Sequence, residues 1–146
     1  MKDFCIIGSG ISGATIANAL SKKYSLDIYD KARGVGGRSS NKKLSNNESF
    51  DHGAQYISPK SIQFKRFIKN LITKKIVKKW PGKHLFLNTD KKENKKHTKI
   101  IGKKGNNAIS KYLLKDINCS FNNEVIKIFN KNKIWEIYFS DGTKKI

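Results

Sequence analysis

Acidic residues are scarce in this chain of 146 residues: 11 Asp and Glu stand against 31 Lys and Arg, a formal net charge of +20 at pH 7. A charge of this sign by itself favours nucleic acid or another anionic partner. Lysine, isoleucine and asparagine, however, make up 61 of the residues, as expected for codons drawn from an AT-rich genome, and the lysines are spread over the whole length. Arginine forks interleaved with aromatic side chains, which sequence-specific readers use, are missing. We therefore expect no specific nucleic-acid partner, although non-specific binding to polyanions fits the charge.

Cysteine and histidine are also scarce, and their spacing excludes two kinds of site. Cys5 and Cys119 form no CxxC pair, and His52, His84 and His97 show no metal-ligand spacing. We expect no metal, and we expect both cysteines to be reduced core residues of a cytoplasmic protein, Cys5 within a buried strand. No Ser-His-Asp arrangement stands out either. The catalytic residues are therefore unknown at this stage.

Long apolar runs are absent as well. No uncharged stretch reaches the ~18 residues that a membrane helix needs, so we expect no membrane span. Asp3 and a glycine-rich turn occupy the region where a cleavable signal would need apolar residues. A chain of this length can bury one core of ordinary size, and its oligomeric state stays open.

Glycines are placed in a characteristic way near the N-terminus. Residues 2–7 form an apolar run that predicts a buried parallel strand, a GxGxxG turn follows directly, and a helix is predicted from about Ile11 to Lys23. In such a turn the glycines allow the tight bend, the close approach of a pyrophosphate and the packing of helix on strand. The helix N-terminus directs its N–H groups at the phosphates. The cofactor-binding residues predicted here are Gly8, Ser9, Gly10, Ile11, Ser12 and Gly13.

An acidic residue, Asp30, ends the next apolar run, residues 26–30, which predicts a second parallel strand. A carboxylate at this distance from the glycine turn accepts hydrogen bonds from a ribose 2′-hydroxyl and would repel a 2′-phosphate. The predicted strand, the predicted helix and Asp30 together indicate a dinucleotide-binding site. We include the following residue, Lys31, among its predicted ligands. An ordinary structural glycine turn is the alternative.

A second glycine cluster, Arg33-Gly34-Val35-Gly36-Gly37-Arg38, follows, and it holds two of the three arginines in the chain. Its glycines allow close backbone approach, and an arginine offers a planar fork to phosphate oxygens. The cluster resembles the RxGGR-type segment that wraps the FAD pyrophosphate in the amine-oxidase-type branch of the glutathione-reductase-like flavoproteins. The resemblance implies FAD as cofactor and adds Arg33, Gly36, Gly37 and Arg38 to its predicted ligands. A solvated glycine-rich loop is the alternative.

A third segment, Phe50-Asp51-His52-Gly53-Ala54-Gln55-Tyr56, is similar to the DHGAQY-type segment of renalase-like FAD oxidoreductases. The resemblance continues more loosely through residues 80–82, 102–105, 123–125 and 135–142. Where the family usually has a methionine, this chain has Asn106. The resemblance implies that the flavin ring lies near Gly53, Ala54, Gln55 and Tyr56, and that the backbone of Val125 meets the adenine.

The function implied by the resemblance is that of an FAD-dependent oxidoreductase. Such an enzyme takes a hydride from a reduced nicotinamide-type or amine substrate, a small molecule, onto flavin N5, with oxygen as acceptor. Because renalase-like proteins are much longer, we expect this chain to be an N-terminal portion whose fold is truncated at residue 146. The alternatives are a catalytically inactive dinucleotide-binding fragment and a basic nucleic-acid-binding protein.

The fold expected is α/β: a Rossmann-like FAD/NAD(P)-binding doubly wound fold, incomplete, with the start of an inserted substrate domain. We assign residues 1–56 and 101–146 to the FAD-binding domain and residues 57–100 to the start of the substrate domain. A helix is predicted over residues 61–71, with a core face of Ile62, Phe64, Phe67, Ile68, Leu71 and Ile72. The other predicted elements are a polar loop over 31–49 with a turn at Asn46-Asn47, an extended segment over 49–54, strands at 76–80 and 84–87, a helix over 107–115 and a meander of strands near 119–121, 124–129 and 134–139 with a hairpin loop at 130–133.

Overall fold

The computed structural model describes residues 1–45, 48–81 and 98–146. Its elements, in chain order, are β1 (Phe4–Ile7), α1 (Ile11–Leu20), β2 (Leu26–Tyr29), a short 3₁₀ turn (Gly37–Ser39), β3 (Asn41–Lys43), β4 (Ser49–Asp51), α2 (Ile62–Thr73), β5 (Val77–Lys79), β6 (Ile100–Gly102), α3 (Ala108–Leu113), β7 (Cys119–Ser120), β8 (Val125–Lys131), β9 (Ile134–Phe139) and β10 (Lys144–Lys145). The predicted turn at Asn46-Asn47 and the predicted strand at 84–87 lie outside the described residues.

A parallel sheet with the order β1-β2-β7 forms the centre of the fold. β1 and β2 pair in parallel from Phe4 opposite Leu26 to Ile7 opposite Tyr29, and α1 connects them. A parallel pair joined through a helix is the opening unit of a doubly wound sheet, because parallel strands need a crossover connection. The predicted β–α–β start of the chain is confirmed.

Strand β1 is much less buried than its apolar sequence predicts. Phe4, Cys5 and Ile7 are exposed, and only Ile6 is half-buried. The reason is position: β1 ends the sheet, with β2 as its strand partner on one side and no strand on the other within the described ranges. The prediction of a buried Cys5 was therefore wrong, whereas Cys119 is half-buried at the start of β7; both thiols are free.

The main core joins the helices to the sheet. Ala14 and Ala17 of α1 are completely buried, and their small side chains let α1 approach α3 closely. Asn18 Nδ2 adds a hydrogen bond of 2.8 Å to the Leu113 carbonyl at the end of α3. The core residues are Ala14, Ala17, Ile28, Ile68, Leu71, Val77, Ile100, Ile109, Leu113 and Leu114.

Helix α2 begins at a capped end, where Ser61 Oγ accepts a hydrogen bond of 3.2 Å from the Phe64 N–H. Its core face is narrower than the predicted set of six residues, because Ile62 and Ile72 at its two edges are exposed. The members that are buried or pack against the core are Phe64, Phe67, Ile68 and Leu71.

The predicted meander is present with different members. β8, β9 and β10 form an antiparallel sheet, and the tight turn between β8 and β9 is Asn132-Lys133, both in the left-handed region. β7, which was assigned to the meander, pairs in parallel with β2 instead, Ile28 opposite Cys119. A short apolar run does not indicate whether its partner strand is parallel or antiparallel. The sequence alone therefore could not distinguish pairing with β2 from pairing within the meander.

The stretch predicted as a polar loop over residues 31–49 contains regular structure. β3 pairs antiparallel with β4, Asn41 opposite Asp51 and Lys43 opposite Ser49. Both strands are short and largely exposed. Their polar sequences lack the apolar alternation by which a strand is recognised, which is why β3 was missed.

Candidate functional site

Two glycines of the first turn are required by the protein's own fold, one for its backbone conformation and one for close packing. Gly8 has a φ of +96°, and its N–H donates to the Tyr29 carbonyl at 2.8 Å, which ties the turn to the end of β2. Gly13 lies against the same turn: a Cβ on it would be 2.0 Å from the Gly8 carbonyl oxygen. Gly13 therefore lets α1 start directly behind the turn.

Gly10, in contrast, is not required by its surroundings. Its φ is −68°, and an added Cβ would make only ordinary contacts, 3.7 Å from the Gly37 Cα and 3.9 Å from the Gly36 carbonyl oxygen. The helical hydrogen bonds start with the Ala14 N–H to the Gly10 carbonyl, so the N–H groups of Ile11, Ser12 and Gly13 precede the first of them. The first turn of α1 has no acidic residue and no side-chain cap. Backbone donors without a cap fit a phosphate, and a glycine at residue 10 lets a pyrophosphate approach them closely.

Asp30 follows β2 and reaches back to the glycine turn. Its Oδ2 accepts both the Ser9 N–H, at 2.6 Å, and the Ser9 hydroxyl, and its Oδ1 accepts the Ala32 N–H at 2.8 Å. Burial raises the pKa of the Asp30 carboxyl, but the hydrogen bonds from Ser9 and Ala32 outweigh it and hold the pKa below its ordinary value. The carboxylate is ionised at neutral pH, and Oδ1 keeps one acceptor position. The sequence did not reveal that Asp30 also fixes the turn.

The second glycine cluster lies directly beside the first. The Gly36 N–H donates to the Ser9 carbonyl at 3.2 Å, and Gly10 and Gly36 form a short parallel bridge. A Cβ on Gly37 would be 3.2 Å from the Gly10 Cα. Two glycine segments more than twenty residues apart in sequence are thus brought together at the start of α1.

The three cationic residues of the predicted site are exposed. Lys31 forms a loose ion pair with Glu124 at 3.7 Å. Within residues 1–45, 48–81 and 98–146, neither Arg33 nor Arg38 has an ion-pair partner. Both guanidinium groups therefore remain available to an anionic ligand.

The third segment packs on the second. The Ala54 N–H donates to the Arg38 carbonyl at 2.7 Å, and a Cβ on Gly53 would lie 2.0 Å from the same oxygen. His52 Nε2 lies 3.0 Å from the Ser40 hydroxyl. Residues 53–56 are all exposed. The Tyr56 ring is tilted by 46° against the Trp80 ring, and their centroids are 5.7 Å apart. We call this exposed segment next to Arg38 the ledge; it consists of Gly53, Ala54, Gln55 and Tyr56.

Asn106, which sequence reasoning left without a role, is completely buried under this ledge. Its Nδ2 donates to the carbonyls of Ala54, at 2.7 Å, and Gln55, at 2.9 Å, while its Oδ1 accepts the Gly102 N–H at 2.8 Å. Its own N–H donates to Asp51 Oδ1 at 2.8 Å. The one sequence signal was the departure from the methionine of the family it resembles.

Val125 begins β8 opposite Phe139 and is half-buried against the small cluster of Tyr29, Ile137 and Phe139. Just before it, the Asn123 N–H donates to the Asp30 carbonyl at 3.0 Å. The chain therefore enters β8 from the end of β2, beside the carboxylate predicted to meet the ribose.

A cavity of about 550 Å³ lies elsewhere, between the exposed face of β1 and the meander, and none of the predicted cofactor residues lines it. In the part of the chain that the structure describes, no three His, Cys, Asp or Glu side chains gather as metal ligands. Among the described helices, none has the length and apolar character needed to cross a membrane.

Comparison with known proteins bears on the fold. Residues 6–71 match the family model of the NAD(P)-binding Rossmann-like domain. The fold is Rossmann-like. Residues 6–71 include both glycine clusters, Asp30 and the exposed ledge.

Solved structures of whole enzymes extend the similarity along the chain. A double mutant of putrescine oxidase superposes on 98% of this chain with a TM-score of 0.63 at 12% identity, and a triple mutant of the same enzyme with 0.70 at 11%. Tetracycline destructase Tet(51) covers 97% with a TM-score of 0.60 at 18% identity. These identities show the shared fold. The chain spans 56% and 55% of the two putrescine oxidase chains and 36% of the destructase.

Proposed function

We propose that this chain binds FAD at the start of α1, as the dinucleotide-binding part of an FAD-dependent oxidoreductase. The observation that carries the proposal is the meeting of the two glycine clusters at the uncapped start of α1. The free N–H groups of that helix N-terminus and the exposed side chains of Arg33 and Arg38 suit a pyrophosphate.

The identity of the dinucleotide follows from the neighbouring side chains. The ionised Asp30, with one acceptor position left on Oδ1, suits a ribose hydroxyl and disfavours a 2′-phosphate. The second glycine cluster and the ledge at residues 53–56 resemble those of renalase-like flavoproteins, and the fold is shared with putrescine oxidase. Together they favour FAD over a nicotinamide cofactor.

The residues proposed to hold the ADP half come from both glycine clusters and the end of β2. The ledge residues are proposed to lie beside the flavin ring, and the Val125 backbone beside the adenine, next to Asp30. The proposed ADP-binding residues are Gly8, Ser9, Gly10, Ile11, Ser12, Gly13, Asp30, Lys31, Arg33, Gly36, Gly37 and Arg38.

The reaction proposed for the whole protein is oxidation of a small reduced nicotinamide-type or amine substrate, with oxygen as acceptor. A bound flavin supplies the hydride-accepting centre. The protein's part is to bind the pyrophosphate through backbone N–H groups, to orient the dinucleotide through Asp30 and to present the ledge to the ring. The matched structures are nearly twice as long or longer, so FAD binding is proposed for this chain itself and turnover for the whole protein.

Two further assignments accompany this proposal. We place residues 1–56 and 101–146 in the FAD-binding domain and the start of the substrate domain at 57–100, and we place the protein in the cytoplasm. Limited proteolysis with and without FAD tests the first, since bound cofactor should protect the FAD-binding segments.

Gly10→Ala tests FAD binding without disturbing the fold, because the added Cβ meets no atom closer than 3.7 Å. We expect the wild-type chain to bind FAD, measured by flavin absorbance and by titration of flavin fluorescence, and Gly10→Ala to weaken binding at least tenfold. The unfolding free energy should change by less than about 1 kcal/mol.

Gly34→Ala is the matched control, since a Cβ there meets no atom within 4 Å and Gly34 is not a proposed ligand. It should bind FAD as the wild type does. Equal binding by wild type and Gly10→Ala, or no binding by the wild type, would contradict the proposal. Tight, salt-sensitive oligonucleotide binding without flavin would favour a nucleic-acid-binding protein instead.

A further inference from the structure

Asn106 uses every hydrogen-bonding position of its side chain except one lone pair. Both N–H groups of Nδ2 donate to backbone carbonyls, and Oδ1 accepts the Gly102 N–H. A reversed amide would place oxygen against the two carbonyls and nitrogen against an N–H group. The orientation is therefore unique, and the buried amide is fully paired.

The two carbonyls that Asn106 holds belong to an exposed segment with few other attachments. The Ala54 N–H is bonded to Arg38, and the Ile57 N–H is bonded to the Ile100 carbonyl at 2.8 Å. The side chains of residues 53–56 all lie on the surface, so side-chain burial adds little to their placement. From the interior, the Asn106 side chain holds this backbone through its two hydrogen bonds to the Ala54 and Gln55 carbonyls.

The same residue also binds Asp51, which precedes the ledge by two residues. The Asn106 N–H donates to Asp51 Oδ1, which in turn accepts a hydrogen bond of 3.0 Å from Asn41 Nδ2. Gly102 and Gly105 permit this close approach: a Cβ on Gly102 would lie 1.9 Å from the Gly105 carbonyl oxygen. One buried turn thus holds the middle of the ledge and Asp51, two residues before it.

We propose that Asn106 is a positioning residue for the flavin ring: it fixes the Ala54 and Gln55 carbonyls, and with them the height and tilt of the ledge against which the ring lies. The inference rests on the proposed FAD binding. It separates the two halves of the cofactor, because the contacts proposed for ADP come from Gly10, Asp30 and the second glycine cluster. The hydrogen bonds of Asn106 go to Ala54, Gln55, Gly102 and Asp51 instead.

Asn106→Ala should therefore affect the two halves unequally. We expect its affinity for ADP to stay within about twofold of the wild type, while its affinity for FAD falls at least tenfold and the absorbance band of the bound flavin shifts. Without any ligand, hydrogen exchange at the Ala54 amide should become faster. Asn106→Ser, whose hydroxyl is too short to reach Ala54 and Gln55, should behave likewise and serves if Asn106→Ala does not fold.

Asn18→Ala is the matched control, because it removes another side-chain amide hydrogen bond, to the Leu113 carbonyl, away from the ledge. It should leave the ratio of FAD to ADP affinity, the flavin band and Ala54 exchange unchanged. If the wild type binds FAD and both Asn106 variants keep its FAD affinity and flavin band, this inference is wrong and the proposed function stands. A wild-type chain that binds neither ADP nor FAD overturns the proposed function, and this inference with it.

Discussion

Glycines in the first turn illustrate how one residue type serves unlike purposes. Gly8 is needed for its backbone conformation and Gly13 for the distance between helix and turn, whereas the structure gives no packing reason for Gly10. A glycine that the fold does not need is best explained by something that binds to it. The GxGxxG pattern predicted all three positions, but only the geometry separates stability from binding.

Gly13→Ala should lower the unfolding free energy, whereas Gly10→Ala should leave it nearly unchanged. Its Cβ would overlap the Gly8 carbonyl oxygen, so α1 or the turn must shift, at a cost of roughly 1–3 kcal/mol or more. Urea denaturation of the two variants side by side measures this difference. Equal stabilities would mean that the helix and the turn adjust freely.

Asp30 and Asn106 mark the limit of sequence reasoning at the residue scale. Asp30 was predicted for ribose from its distance to the glycines, and its second task, holding Ser9, depends on the direction in which its side chain turns. Asn106 bonds to residues more than fifty positions away, and no local pattern could reveal such partners. Buried polar networks are defined by the folded chain.

Cys5 offers a titration that reports on its surroundings. Apolar neighbours and the Asp27 carboxylate raise the pKa of its thiol to about 11. Because the thiolate is the nucleophile, alkylation by iodoacetamide at pH 8 should be roughly a hundredfold slower than for an ordinary cysteine and should accelerate up to about pH 11. A Cys119→Ser background isolates the Cys5 signal by mass spectrometry.

Asp27→Asn is the companion variant for this measurement. Removing the negative charge should lower the pKa of Cys5 and speed its alkylation at pH 8, since a nearby carboxylate disfavours the thiolate. A rate at pH 8 equal to that of an unstructured cysteine in the Cys119→Ser protein would contradict the assigned environment.

The positions of helices and strands, which depend on local sequence patterns, were predicted well. Strand pairing and burial, which depend on neighbouring elements, were predicted poorly. The three helices and the strands β1, β2, β5, β8 and β9 fall within the predicted ranges or overlap them closely. β7 was given the wrong neighbour and β1 the wrong burial, because both properties are decided by what lies alongside. Strand pairing is a property of two segments, and a run of apolar residues describes only one.

A substitution in the β8–β9 turn should increase the stability of the protein. Asn132 and Lys133 both have positive φ, as the central residues of a type I′ hairpin do, and the second position of that turn favours glycine. Lys133→Gly should raise the unfolding free energy by about 0.5–1 kcal/mol, because lysine resists this conformation. Thermal unfolding measures the gain.

Lys131→Gly is the control for this change. Lys131 lies in β8, two residues earlier, where glycine weakens a strand. It should lower the unfolding free energy, and stabilisation by both variants would indicate a general effect of removing lysine rather than relief at the turn.

At the scale of the whole molecule, one sheet edge stands out. β1 has β2 on one side, and its exposed Phe4 and Ile7 face the cavity shared with Ile134 and Trp135 of the meander. Unpaired strand edges with apolar side chains invite pairing between molecules. Lysines are spread along the sequence, and the net charge is +20.

Self-association should therefore depend steeply on salt. At about 0.01 M salt the screening length is roughly 30 Å and copies repel one another; at about 1 M it is roughly 3 Å and the repulsion is confined to contact. We expect sedimentation velocity to show larger species at the higher salt, and Ile7→Lys, which places a charge on the edge strand, to reduce them. Salt-independent sedimentation would contradict this.

The exposed first strand gives the unusual composition a consequence for molecular evolution. A lysine-rich composition, of the kind that AT-rich codons favour, raises the colloidal stability of a chain whose first strand is paired on one side only within the described residues. Surface lysines outside the proposed dinucleotide site then act as gatekeepers, and we expect their replacement by neutral residues to shorten the time that the protein stays dispersed at high concentration.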